Sequence, residues 1–446
     1  MSAQPEVNPV IDGIPGRTLP GWVNNGSILA IIVGIVAFVY GLTAVDWAYA
    51  WGAYLVGLVY TLAIAQGGVV FAIVMTGTWA RWGRPVKRIG EALGFFLPVG
   101  WVMMLIFLLG GITIYAWHPD AVVPHVSLAP HSPEAAASKE IWLSPAFFIV
   151  RQLTLLAVLT LLDGLYIYAS LKPDLIMAKQ RLGNKAPDWW DRVTGGSTDL
   201  TGALKESLQT QKFLVPFIGL GFALVYSFMA FDLIMSLDPW WFSNMFGGWT
   251  FMSSFWLALA TIGLIASVGR DFFKLGGFVR TNVTHDLGKL MLAGCMFWAY
   301  TAYAQLLPIW YTDMPEETGY LLIRMRLPEW EWLAQVVGVT CFVAPFTILL
   351  SRGIKKMRWP FAGICLLIMF GVFFERSLLV LPSIWFQDFP RPELLFVSFG
   401  VWAGFVGLLT QVVGQALVRI PPLVISDPYL EQHPWDVHVH SLDAHH

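Results

Sequence analysis

Ten long apolar stretches run through this chain of 446 residues, and the gaps between them alternate in charge. A helix that spans a bilayer needs about 20 apolar residues. Ten such spans lie at roughly Ser27 to Ala44, Trp51 to Thr78, Glu91 to Trp117, Leu143 to Leu171, Phe213 to Leu237, Gly248 to Val268, Asp286 to Trp310, Trp330 to Ser351, Trp359 to Leu381 and Leu394 to Leu417. With 57% of residues hydrophobic and 13% charged, too little polar surface remains to cover a soluble fold of this length. The expected fold is therefore an all-α polytopic membrane protein. One ten-helix domain over residues 27–417 follows a polar segment, 1–26, and precedes a tail, 418–446.

The charges give the spans an orientation. Of 27 Lys and Arg residues, 21 fall at the two ends or in alternate gaps, which hold Arg81, Arg84, Lys87 and Arg88, then Lys172 through Lys212, then Arg270 through Lys289, then Arg352 to Arg358. The opposite gaps and segment ends hold only Lys139, Arg324, Arg326 and Arg391. Basic gaps mark the cytoplasmic side, so both termini are expected there. Trp51, Trp117, Trp142, Trp310, Trp330 and Trp359 stand at the ends of spans, where an indole suits the headgroup level. Arg17 is the only basic residue among the first 26, with no short apolar core and cleavage site behind it, so the first span reads as an uncleaved anchor. A net charge of −2 points to no nucleic acid. The longest gaps, Lys172 to Lys212 and Pro119 to Glu140, leave no room for a second domain, and the tail reads as a segment that lies on a neighbour or stays mobile.

Residue types absent from the spans narrow the chemistry. Of nine His, at 118, 125, 131, 285, 433, 438, 440, 445 and 446, only His285 is near a span, so paired axial ligands for haem b are lacking. Cys295, Cys341 and Cys365 fall one each in three spans, without the spacing of iron–sulfur or haem c motifs, and read as buried small residues. No phosphate-binding loop occurs. The chain reads as holding no prosthetic group or metal of its own.

What remains is polar chemistry inside the bilayer, where a charge near a helix centre costs on the order of 3 kcal/mol unless it is paired, hydrated or turned inward. Arg151 and Asp163 lie in the fourth span, Asp232 in the fifth, and Glu375 with Arg376 in the ninth. Arg151 and Asp232 are at similar depth on consecutive spans and are expected to pair, as a structural ion pair or as a group that exchanges protons with a quinol or a water chain. Glu375 and Arg376, adjacent on one helix, point in different directions and are expected to need different partners. Asp163 has no cation within a turn of its own helix, which leaves a proton relay or a helix-to-helix hydrogen bond. At the start of the seventh span, Asp286 with His285 and Lys289 reads as a helix cap or as a titratable entrance. Tyr300, Tyr303 and Gln305 along the same helix are candidate positions for a water wire.

The run His285-Asp286-Leu287-Gly288-Lys289-Leu290, continuing to Phe297-Trp298-Ala299-Tyr300, Ile309-Trp310-Tyr311 and Pro315-Glu316-Glu317-Thr318, resembles the F-type integral membrane subunit of alternative complex III. So does Ser236-Leu237-Asp238-Pro239-Trp240-Trp241-Phe242-Ser243-Asn244-Met245-Phe246-Gly247. The resemblance implies the fold of the polysulfide reductase membrane subunit, often called NrfD-like, with two four-helix bundles, spans two to five and six to nine, and two flanking helices. It implies a bacterial cytoplasmic membrane and a place in a respiratory or photosynthetic quinol:electron acceptor oxidoreductase. Iron–sulfur clusters and c-type haems then sit on an iron–sulfur subunit and multihaem c subunits. A related C-type subunit carries the quinol pocket, and a terminal oxidase is a further partner. Within that frame the chain either binds quinol itself or conducts protons, with Asp163, His285 and Asp286 on the inner path and Arg151, Asp232, Glu375 and Arg376 at the outer exit. A secondary transporter, with helices kinked at Pro98 and Pro345, and a purely structural anchor are the competing readings.

Overall fold

The computed structural model describes residues 7–122, 141–238, 241–385 and 389–430. Ten helices in it are long and apolar enough to cross a membrane, and no strand occurs among the described residues. In chain order they are span 1, Gly21–Val45; span 2, Trp47–Gly77; span 3, Arg84–Gly110; span 4, Pro145–Lys185; span 5, Leu200–Leu237; span 6, Met245–Val268; span 7, Thr281–Thr312; span 8, Pro328–Leu350; span 9, Arg358–Ile384; and span 10, Pro392–Arg419. The outer loop over 123–140 with His125, His131 and Lys139, the Pro239-Trp240 pair and the tail from 431 with its five histidines lie outside the described residues.

Apolarity marks the bilayer-crossing part of a helix, but not where the helix ends. Span 4 runs on to Lys185 and span 5 begins at Leu200, so most of the expected Lys172 to Lys212 loop is helical. Span 3 begins at Arg84 and stops at Gly110, which puts three cations read as loop charges on the helix and leaves Trp117 off it. A tightened turn over Gly94–Phe96 precedes Pro98, and a π turn over Val339–Val343 precedes Pro345. Each proline withholds a backbone donor, and the local rewinding carries the helix past it. A second π turn, Ala230–Ile234, contains Asp232.

Span 2 is the axis of the molecule, with 89% of its most apolar window buried. It packs on spans 3, 5, 6, 9 and 10. Small residues make that possible: a Cβ on Gly67 would lie 2.7 Å from the Ser254 carbonyl oxygen, and one on Gly68 would lie 2.7 Å from that of Gly90. Around this axis span 4 joins spans 3 and 5, span 6 joins spans 5, 7 and 9, and span 8 joins spans 7 and 9. Span 1 packs mainly on span 10, where Gly34 faces Gly404.

The terminal segments meet at one end of the helices. Asp12 accepts from Arg181 Nη2 at 3.0 Å, and Asp427 accepts from Arg84 Nη1 at 2.5 Å. Leu423, Val424 and Ile425 are buried, so this part of the tail lies against its own chain. The tryptophans divide: Trp142, Trp310 and Trp359 are exposed, whereas Trp51 and Trp330 are buried and pack on Phe38 and Phe389 with ring centroids 5.0 and 4.1 Å apart. A place at the end of an apolar stretch does not tell which way a ring points.

Candidate functional site

One inward stripe of span 4, spaced by three and four residues, is Gln152, Leu156, Leu159, Asp163, Tyr166, Ser170 and Asp174, and beyond Tyr166 the helix is also buried at Ile167, Leu171 and Leu175. The stripe is polar from Asp163 to one end and apolar for two turns in the other direction. At 1.5 Å per residue, Asp163 lies about 16 Å along the axis from both Gln152 and Asp174. It is 0% exposed, and the one side chain placed to hydrogen-bond its carboxyl is that of Gln66. Gln66 of span 2 is also 0% exposed, so the two form a buried polar contact between spans 2 and 4. Tyr226 of span 5 is the other polar neighbour, and its hydroxyl donates to the Leu62 carbonyl at 2.7 Å. A buried carboxylate amid helices without a cation is expensive when charged.

From Asp163 toward the basic end, Tyr166 comes first. Its hydroxyl lies 2.7 Å from Thr76 Oγ1 and donates to Ala72 at 3.0 Å. Next, Ser170 Oγ donates to Glu91 Oε1 at 2.8 Å. Arg88 binds both Glu91 and Asp174, and Lys87 donates to Gln211 Oε1 at 2.8 Å with Glu91 3.5 Å away. Ser426 closes the group, its backbone N–H donating to Asp174 Oδ1 at 2.8 Å, and Asp427 pairs with Arg84. Three cations and three carboxylates, with side chains no more than 8% exposed, are thus matched in number.

Sequence reasoning missed this cluster. In the sequence Arg84, Lys87 and Arg88 read as loop charges, and nothing marks Asp174 or Asp427 as their partners. The usable signal was Glu91 at i+3 from Arg88 and i+4 from Lys87, spacings that bring side chains together on a helix. Gln66 carried a signal as well, as the only amide or charged side chain within span 2.

At the opposite end the expected pair forms: Arg151 Nε donates to Asp232 Oδ2 at 2.8 Å. Gln152 also donates to Asp232, Trp142 Nε1 donates to its other oxygen at 2.8 Å, and the Arg151 guanidinium lies 4.0 Å from the Trp142 ring centroid. Near the same end Arg324, read as a loop charge, is buried with its guanidinium 3.4 Å from the Tyr320 ring centroid, and it donates to Ser383 Oγ at 2.6 Å. Burial pushes the Tyr320 hydroxyl above the ordinary phenol range and Arg324 below its own.

Glu375 and Arg376, expected to need different partners, are both buried and also approach each other. Glu375 Oε2 comes within 3.3 Å of Arg376 Nη1. Their hydrogen bonds do go to different partners, Glu375 Oε1 accepting from Trp298 Nε1 at 2.8 Å and Arg376 Nη2 donating to Ser253 Oγ at 2.6 Å. The long flexible guanidinium reaches back along the helix while its other arm stays anchored.

Span 7 departs most from the water-wire reading. Asp286 accepts from Lys289 Nζ at 2.8 Å and lies 3.5 Å from His285 Nδ1, a local cluster on a helix that packs on spans 6 and 8, whereas span 4 packs on spans 3 and 5. Tyr300 and Tyr303 are 63% and 59% exposed on the outer face of the helix. The inward face is Leu287, Met291, Cys295, Trp298, Thr301 and Gln305, and the tyrosines fall off that period. Gln305 is buried and accepts from Ser243 Oγ at 2.9 Å. The three cysteines are free and buried, and no group of His, Cys, Asp or Glu among the described residues is placed to hold a metal ion. Compared with known proteins, the chain matches no family model and no curated protein.

Proposed function

We propose that this chain is a proton-conducting membrane subunit of a quinol:electron acceptor oxidoreductase of the alternative complex III type, set in a bacterial cytoplasmic membrane with both termini in the cytoplasm. The observation that carries the conducting role is the one-sided stripe of span 4. Polar groups lead from the Glu91 and Asp174 cluster to Asp163, and Leu159 and Leu156 follow. That is the form of a half-channel, a route for protons from one side only to a group that holds them at mid-depth. Oxidising a quinol releases protons along with electrons, and a helical subunit of this kind can take up the first while partner subunits carry iron–sulfur clusters and c-type haems. The packing order, with spans 2 to 5 and 6 to 9 each closing a ring of neighbours and spans 1 and 10 flanking span 2, supports a two-bundle NrfD-like arrangement. The clustering of Arg84, Lys87, Arg88 and Arg181 with both terminal segments supports a cytoplasmic placement of that end.

The test is purification from native membranes by an affinity tag in mild detergent. Reduced haem c bands, an iron–sulfur partner, a second large membrane subunit and quinol-dependent reductase activity are the expected companions. A colourless protein eluting alone and inert toward quinol would overturn the assignment and make substrate uptake the next assay.

A further inference from the structure

Positive charge is left over where spans 7, 8 and 9 end on one side. Asp286 is matched by Lys289, whose Nζ donates to it at 2.8 Å. Lys355, in the short turn Ile354–Lys356 between spans 8 and 9, and Arg352, just before that turn, have no hydrogen-bond or ion-pair partner among the described residues. The stem of Lys355 is held in place: a Cβ on Gly288 of span 7 would lie 2.7 Å from its Cγ, and the residue is 6% exposed. Burial, and after it repulsion from Lys289 and Arg352, holds the Lys355 ammonium below the ordinary lysine range, with no carboxylate opposing them. Three cations thus share one carboxylate. In the cluster of spans 3 and 4, by contrast, three cations meet three carboxylates, and Arg358, next along the chain, has Asp271 at 2.6 Å.

What balances this excess must be an anion that reaches the ends of the helices. Leu350, Met357 and Trp359 on the same connection are 58%, 56% and 65% exposed, so bare apolar side chains stand among the unmatched cations. An indole at the end of a span suits the headgroup level. A free phosphate would answer the charge and leave the apolar side chains bare. A lipid that joins a phosphate to acyl chains answers both, and basic pockets between helix ends are a known setting for anionic headgroups.

We propose that Lys289, Arg352 and Lys355 form a binding site for the phosphate of one anionic phospholipid, with Leu350, Met357 and Trp359 facing its apolar part. The charge excess and the packing of Lys355 on Gly288 carry the site. It requires that spans 7, 8 and 9 cross a bilayer and is independent of the proton-conducting reading above.

The site is tested on the full-length purified chain in detergent, by native mass spectrometry with phosphatidylglycerol and phosphatidylcholine of the same acyl chains. One phosphatidylglycerol is expected to bind more tightly than phosphatidylcholine. Lys355→Met and Arg352→Gln are each expected to weaken it about fivefold, the effect of one cation near a charged surface. Lys205→Gln, an equal loss of charge at the start of span 5, is expected to leave it unchanged. Equal binding of the two lipids overturns the proposal, and so does equal weakening by all three variants. Arg352 is exposed, so its variant decides the matter if Lys355→Met fails to fold. Thermal unfolding separates the lipid from a free anion: phosphatidylglycerol is expected to raise the midpoint, and inorganic phosphate at the same concentration to leave it in place. A shift with phosphate as large as with the lipid overturns the proposal. Neither readout requires quinol turnover, so a failure of proton conduction leaves both unchanged.

Discussion

Single residues in this protein are decided by what stands opposite them. Arg151 and Asp232 are buried together, and removing one partner leaves an uncompensated charge, at a cost of about 3–5 kcal/mol. Asp232→Leu alone is therefore expected to lower the thermal midpoint in detergent steeply, and Arg151→Met with Asp232→Leu to recover most of it. A double variant no better than the single one would show that the pair does more than neutralise itself. This pair was legible because its members lie on consecutive spans at like depth. Arg88 and Asp174 were not, being 86 residues apart, with the cation in a stretch that composition assigns to a loop. The outward turn of Tyr300 and Tyr303 was hidden as well, since a hydroxyl in a span signals polarity without fixing the face it occupies.

Elements reveal the same division between what periodicity carries and what packing adds. Ten spans follow from apolar length, while their pairing depends on close approaches that no single helix announces. Span 1 meets span 10 where a Cβ on Gly34 would lie 2.5 Å from Gly404 Cα. Gly34→Val is expected to destabilise by about 1–3 kcal/mol through overpacking. Gly26→Val, on the same helix with nothing within 4 Å, is expected to leave the midpoint unchanged. Equal effects of the two, read by thermal unfolding, would contradict the packing described. The tail segment after span 10 acts as a cap, since Ser426 and Asp427 complete the cluster of Arg84, Arg88 and Asp174. Ending the chain after Arg419 leaves that cluster one negative charge short, and faster amide exchange around residues 84–91 is expected. Unchanged protection there would remove the tail from the cluster's stability.

For the whole molecule, the alternating charges make an orientation claim that labelling can check. Lys185→Cys is expected to react with an impermeant thiol reagent only from the cytoplasmic side, and Arg391→Cys only from the other. The reverse pattern would contradict the proposed half-channel, in which the Glu91 and Asp174 cluster faces the cytoplasm. The central claim, that Asp163 holds the protons this subunit conducts, is tested most directly by quinol-driven proton translocation in liposomes. The complete complex is compared with its Asp163→Asn form at matched electron-transfer rates. The account predicts that the variant assembles and oxidises quinol but loses most of the proton translocation per electron. An unchanged proton-to-electron ratio in Asp163→Asn would contradict it.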